Sequence, residues 1–203
     1  MNYLAIDTSG SHLTVIVIKN EQVFCEYLAD SGLKHSTTLM PIIEQTLLKA
    51  GLEIKDIDVY SAVTGPGSFT GIRIGISTIK AFSYAFNKPV LNVTSFDVLA
   101  YNKRERKCLA VIDALHGNFY VQGFDGNDVC LSPRFIDSQQ LNELAKEYQI
   151  ISSTEIEGEN AQICDLKQGF INAVIGKKDD YSEDRESLVP LYVRKSQAEE
   201  NVL

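Results

Sequence analysis

The chain has 203 residues, 44% of them hydrophobic and 23% charged, and a formal net charge of −8. Such a composition predicts a soluble globular protein of one domain or two small lobes. The acidity argues against a self-sufficient nucleic-acid binder, which needs a concentrated basic surface. No apolar run approaches the ~20 residues of a membrane span, so no membrane association is expected. Met1–Asp7 has no basic start and carries an acid in its short apolar run, which does not read as a signal peptide. Cys25, Cys108, Cys130 and Cys164 are scattered, with no CxxC pair. They read as reduced, mostly buried thiols of a cytoplasmic protein.

In chain order, three short strands are expected at Tyr3–Thr8, Leu13–Lys19 and Gln22–Ala29, joined by Ser-Gly-Ser and Asn-Glu turns. Residues 36–50 place Leu39, Ile43, Thr46, Leu47 and Ala50 on one helical face, and Gly51 closes the helix. Pro41 falls late for a first-turn proline, so the helix kinks there or starts nearer Leu39. A strand over 57–63, a helix over 69–86 and a strand at Val90–Val93 follow. Then come a short helix from Ser95 to Asn102 and a charged linker over residues 103–107. Strands resume at Leu109–Asp113, Phe119–Phe124 and Val129–Phe135. Helices are expected over 138–148 and 161–174, with a strand at Ile150–Ser153 between them, and a polar, mobile tail over 176–186.

The most specific local signal is Thr64-Gly65-Pro66-Gly67-Ser68-Phe69-Thr70-Gly71-Ile72-Arg73-Ile74-Gly75. Between an apolar strand and a long helix, Gly65-Pro66-Gly67 makes a tight reversal. Ser68 or Thr70 can cap the helix, and free N–H groups there can hold an anion. Gly71 and Gly75, four apart, leave a groove on one helix face for close approach of another backbone. The helix is apolar on opposing sides, with Ile72, Ile76 and Ile79 on one and Ile74, Ala81 and Ala85 on the other. Either it is internal to the fold, or its own sheet covers one side and a partner protein the other.

The two halves share one order: three strands, helix, strand, helix. The opening strand of each ends in an acid, Asp7 followed by Thr8-Ser9 in the first and Asp113 in the second. Acid-tipped strands facing one cleft suit a metal–phosphate complex of a nucleotide. An Asp after a strand is also a common turn former.

The chain resembles the TsaB (YeaZ) family over essentially its full length. The resemblance rests on Ala5-Ile6-Asp7-Thr8-Ser9, on His35-Ser36 before Leu39-Met40-Pro41-Ile42-Ile43, on the glycine segment 65–75, and on Pro190-Leu191-Tyr192-Val193-Arg194. It implies an α/β protein of actin/Hsp70-like (ASKHA) fold, with two lobes of ribonuclease-H-like topology, the second reduced. Residues 1–102 would form the N-terminal, partner-binding lobe and residues 108–203 the smaller C-terminal lobe. It also implies a non-catalytic scaffold in bacterial tRNA modification, paired with a TsaD-like catalytic paralogue and a TsaE-like ATPase. Together these transfer a threonylcarbamoyl group from threonylcarbamoyl-AMP to the adenosine beside the anticodon of tRNAs reading ANN codons. The tRNA would be met only through the complex. The catalytic paralogue carries an HxxxH metal pair; here His35 is followed four residues later by Leu39, and His12 and His116 do not repeat the spacing. No metal site, no catalytic residue and no obligate cofactor are therefore expected, with weak ATP or ADP binding left open at Asp7, Thr8, Ser9 and Asp113. The alternatives are an ATP-dependent phosphotransferase of the same fold and, more weakly, a peptidase.

The expected partner interface is Leu39 and Ile43 on the first helix with Gly71, Ile72, Arg73, Gly75, Ile76 and Ile79 on the second. Alone, the protein would use the same apolar surface to form a homodimer. Arg73 pairs with a partner carboxylate, pairs with Asp7, or packs its stem and extends its head to water. Tyr192, Arg194 and Lys195 lie in a segment that folds back or binds a partner.

Overall fold

In the computed structural model, residues 1–31, 34–102, 107–126 and 128–194 are described. Most of the charged linker over 103–107, and Lys195, lie outside them. The first sheet has the order β3-β2-β1-β4-β5, built from β1 (Tyr3–Asp7), β2 (Leu13–Lys19), β3 (Gln22–Leu28), β4 (Val59–Val63) and β5 (Val90–Val93). β1 runs antiparallel to β2 and parallel to β4, in the register Asp7↔Thr14 and Ile6↔Ala62. Alternation along these buried strands sends residues to two cores. Leu4, Ile6, Leu13, Val15 and Val17 face α1 (His35–Ala50) and α2 (Phe69–Phe86), where they meet Leu39, Ile43, Leu47, Ile72, Ile76 and Ile79. Tyr3, Ala5, Ile16, Val59, Val63 and Leu91 face the opposite way.

The second sheet repeats the plan as β8-β7-β6-β9-β10. Its strands are β6 (Cys108–Asp113), β7 (Asn118–Asp125), β8 (Asp128–Asp137), β9 (Gln149–Ser152) and β10 (Gln162–Ile163). β6 is antiparallel to β7 and parallel to β9, as β1 is to β2 and β4. The helices are reduced. α4 (Ser138–Leu144) has 7 residues where α1 has 16, and no helix joins β9 to β10 where α2 joins β4 to β5.

Helices α3 (Ser95–Ala100) and α5 (Leu166–Gly176) lie between the sheets. Val98 of α3 and Phe170, Ala173 and Val174 of α5 pack on the first sheet. Phe96, Leu99 and Ala100 of α3 turn instead to Cys108, Ala110, Phe124 and Ile151 of the second. A helix from each half thus helps glue the two sheets together. Cys108 and Cys164 are buried, Cys25 is half-buried and Cys130 is exposed, and none is in a disulfide. Burial pushes the Cys108 thiol up to about 11.

Several element boundaries differ from the sequence reading. The helix expected over 138–148 stops at Leu144. The one expected over 161–174 starts at Leu166, because Asp165 caps it by accepting the Gln168 N–H at 3.0 Å, while Gln162–Ile163 pair with β9 as a strand. Pro41 lies inside α1, which starts at His35. The tail over 176–186 is tied down: Ser182 forms an antiparallel bridge with Val90, donating at 2.7 Å and accepting at 2.9 Å, and Leu188 just beyond is fully buried.

The largest correction concerns α2. Leu39, Ile43, Ile72, Ile76 and Ile79 are all buried in the protein's own core, at 6% exposure or less, as are Gly71 and Gly75. They do not form an outward surface. An apolar side chain pointing at a five-stranded sheet is already covered, so the partner surface expected at these positions is not where they point.

Candidate functional site

The glycine loop is seated on the end of β1. A Cβ at Gly67 would collide with the Ser9 carbonyl oxygen, and one at Gly71 with the Thr8 carbonyl oxygen. One at Gly75 would sit 2.6 Å from Thr8 Oγ1. The close approach is used: the Ser68 N–H donates to the Ser9 carbonyl at 2.7 Å, and Thr8 Oγ1 donates to the Gly71 carbonyl at 2.7 Å. The Gly71/Gly75 groove therefore receives the chain's own strand end, not a partner helix. Ser68 is the helix cap, its Oγ accepting the Gly71 N–H at 3.2 Å.

Between the sheets lies a cavity of about 360 Å³, walled by Asp7, Ser9, His12, Tyr27, Pro66, Gly67, Ser95, Leu99, Ile112 and Thr154 among others. Its polar floor is a buried ion pair, with Asp7 Oδ2 2.9 Å from His12 Nε2. Asp7 Oδ1 accepts the Ser9 N–H at 2.8 Å and the Ser9 hydroxyl at 2.7 Å. Burial works against the charged carboxylate, yet His12 and the Ser9 hydrogen bonds outweigh it and hold Asp7 below its ordinary value. Burial likewise works against a charged His12, and Asp7 outweighs it, raising the imidazole. The His12 ring stacks on Tyr27 at 5.8 Å.

Of the four expected nucleotide-site residues, Asp7 and Ser9 line this cavity. Thr8 turns away to α2, and Asp113 is exposed and accepts the Leu115 N–H at 2.7 Å. Asp113 thus acts as a turn former, and the two strand-end acids do not share the cavity wall. Both Asp7 oxygens are engaged within the protein, Oδ1 by Ser9 and Oδ2 by His12. The sequence reading missed His12 and Tyr27. The register Asp7↔Thr14 brings His12, in the hairpin turn, back beside Asp7, a proximity that carries no periodic signal.

His35 is buried and donates its Nε2–H to the His12 carbonyl at 3.0 Å, a polar residue anchoring a helix entrance. Among the described residues, no group of three His, Cys, Asp or Glu side chains is placed to hold a metal. Arg73 does not reach Asp7. Its guanidinium lies 3.7 Å over the Phe69 ring and its Nε donates to Tyr192 Oη at 3.1 Å. Lys80 pairs with Glu186 at 2.9 Å. The segment carrying Glu186 and Tyr192 therefore folds back along α2.

The surface of α2 divides into three stripes at 100° per residue. Gly71, Ile72, Gly75, Ile76, Ile79 and Ser83 face the sheet. Phe69, Arg73, Lys80, Tyr84 and Asn87 hold the folded-back segment. Thr70, Ser77, Ala81 and Ala85 are exposed, with Ile74 and Thr78 half-buried beside them. Ile74 packs in part against the first core, while Thr70, Ser77, Ala81 and Ala85 stay exposed among the described residues.

The family model described as "TsaD: tRNA N6-adenosine threonylcarbamoyltransferase" matches residues 30–164. The tRNA threonylcarbamoyladenosine biosynthesis protein TsaB of Bacillus subtilis is 32% identical over 122 residues, 59% of this chain and 53% of the relative. TsaB of Escherichia coli is 28% identical over 124 residues, 59% of this chain and 53% of the relative. The chain spans about half the length of the curated relatives it matches. Among solved structures, YeaZ from Pseudomonas aeruginosa superimposes with a TM-score of 0.78 at 20% identity, covering 94% of this chain and 99% of that one. The two-sheet architecture is thus the actin-like (ASKHA-type) fold shared with YeaZ. The chain belongs to the tRNA N6-adenosine threonylcarbamoyltransferase (TsaD) family, among its TsaB (YeaZ) members.

Proposed function

We propose that this protein is a non-catalytic scaffold subunit that binds a TsaD-like catalytic paralogue and, with a TsaE-like ATPase, supports threonylcarbamoyl transfer to the adenosine beside the anticodon of ANN-reading tRNAs. The observation that carries the reading is the entrance of α1. His35 spends its Nε2–H on a backbone carbonyl, and the residue one helical turn on is Leu39, 2% exposed in the core. This helix cannot present two imidazoles to one metal, so the chain lacks the pair its catalytic paralogues use. The tRNA is met through the complex, in keeping with the net charge of −8.

The docking surface is the outward stripe of α2, Thr70, Ile74, Ser77, Thr78, Ala81 and Ala85, with the exposed Met40, Glu44 and Leu48 of α1. Small side chains let a partner helix approach closely, and Leu48, 80% exposed, is an apolar residue with nothing yet to cover it. Alone, the protein would pair with itself through this face. Residues 1–102 and 108–203 act as the two lobes, with α5 and the C-terminal segment crossing back to the first. The site of action is the cytoplasm; among the described residues no helix is long and apolar enough to cross a membrane. Reconstitution tests the reading. Purified paralogue, ATPase, threonylcarbamoyl-AMP and tRNA should give modified tRNA only when this chain is added, and the chain alone should give none.

A further inference from the structure

The C-terminal segment touches both sheets. Ser182 bridges to Val90 on the edge of the first sheet. Glu186 bonds Lys80 and Tyr84, and Leu188 is fully buried among the α2 side of the first core. The Leu191 N–H then donates to the Thr64 carbonyl at 2.8 Å, at the base of the glycine loop. Tyr192 lies 5.9 Å from the Phe69 ring at the start of α2. Leu191 and Val193 pack instead on the second-sheet cluster of Phe96, Leu99, Cys108, Ala110 and Phe124, and Arg194 sits 4.9 Å over the Phe135 ring of β8.

We infer that residues 189–194 are a latch between the two sheets, anchored at Leu188 and releasable beyond it, that holds the cavity at its present width. The position of the latch is what gives it this role. Its Leu191 bonds Thr64, from which the chain runs into Pro66 and Gly67, one wall of the cavity. Its Leu191 and Val193 also pack against the buried cluster that contains Leu99, which lies on the cavity wall as well. Withdrawing the latch removes support from both walls at once. Two of its side chains reach solvent: Val189 is 53% exposed and Tyr192 51% exposed, against 0% for Leu188. Segments with few buried contacts and exposed hydrogen bonds open at far lower free energy than the core.

The test is amide hydrogen exchange on the full chain, comparing wild type with Tyr192→Ala and Leu191→Glu. A latch predicts that exchange at residues 189–194 rises about tenfold or more. It also predicts that exchange rises severalfold at residues 10–12 and 153–154, which line other parts of the cavity. Faster exchange confined to 189–194, with 10–12 and 153–154 unchanged, would overturn the inference, since that is local opening with no effect on the cavity. If Leu191→Glu fails to fold, Tyr192→Ala, at an exposed position, decides by the same two readings.

Discussion

Asp7 and His12 form an ion pair at 2.9 Å, buried at 2% and 6% exposure, in the floor of the cavity between the two sheets. The hairpin that joins β1 to β2, in the register Asp7↔Thr14, brings these two groups together. A buried pair of this kind contributes little against an apolar replacement of both, but removing one partner strands a charge. Asp7→Asn and His12→Ala should each lower stability by about 3–5 kcal/mol at about pH 6. A turn-forming carboxylate alone would cost about 1 kcal/mol. Urea unfolding of the two variants separates these figures.

The same pair sets a pH window. Asp7 lies below its ordinary value of 3.8 in the folded protein, so its contribution is present above that value and lost as pH falls through the lowered one. His12 lies above its ordinary 6.5, so its contribution is complete below 6.5 and lost as pH rises through the raised value. Stability should be greatest between these two values and decline on both sides. His12→Gln should flatten the alkaline decline, which denaturation midpoints measured across the range would reveal. An alkaline decline unchanged in His12→Gln would assign it to another group.

The glycine loop makes a prediction that distinguishes backbone from side-chain collisions. Gly71→Ala drives a Cβ into the Thr8 carbonyl and should destabilise by about 2–3 kcal/mol or more. Gly75→Ala meets Thr8 Oγ1 instead, so adding Thr8→Ala should recover part of its loss but none of that of Gly71→Ala. Thermal melts of the two double variants decide it.

The three stripes of α2 predict opposite outcomes for similar charges. Ile79→Glu places a carboxylate in the core, where Ile79 is 0% exposed, and should cost roughly 3–5 kcal/mol or abolish folding. Ala81→Glu, on the exposed stripe, should change stability by no more than about 0.5 kcal/mol. Circular dichroism and melting temperatures of the pair provide the check.

Much of this was legible in the residues. The strands up to Gln149–Ser152, a cap at Ser68 or Thr70 and the apolar face of α1 follow from periodicity and turn chemistry, and the doubled order follows from comparing the halves. The errors share a cause. Periodicity shows that α2 is apolar on opposing sides, but it does not show that the glycine groove is filled by Thr8 from the opening strand. Nor does it show that Phe69, Arg73, Lys80 and Tyr84 are taken up by a segment a hundred residues distant in the chain. The polar composition of 176–186 hid the bridge to Val90, because a backbone pairing leaves no mark in side-chain pattern. The Asp7–His12 pair was hidden likewise, since hairpin register and not spacing makes it.

In the proposed role, the outward stripe of α2 docks a TsaD-like paralogue. Sizing and affinity of the complex after co-expression with a TsaD-like protein, using wild type and the double variant Ser77→Glu/Ala81→Glu at two exposed positions, decide whether it does. Wild type should form a stable heterodimer. The variant should fold, stay monomeric alone and lose at least about a hundredfold in affinity for the paralogue, as for loss of a central interface contact. A folded double variant that keeps wild-type affinity and still forms the homodimer would contradict it.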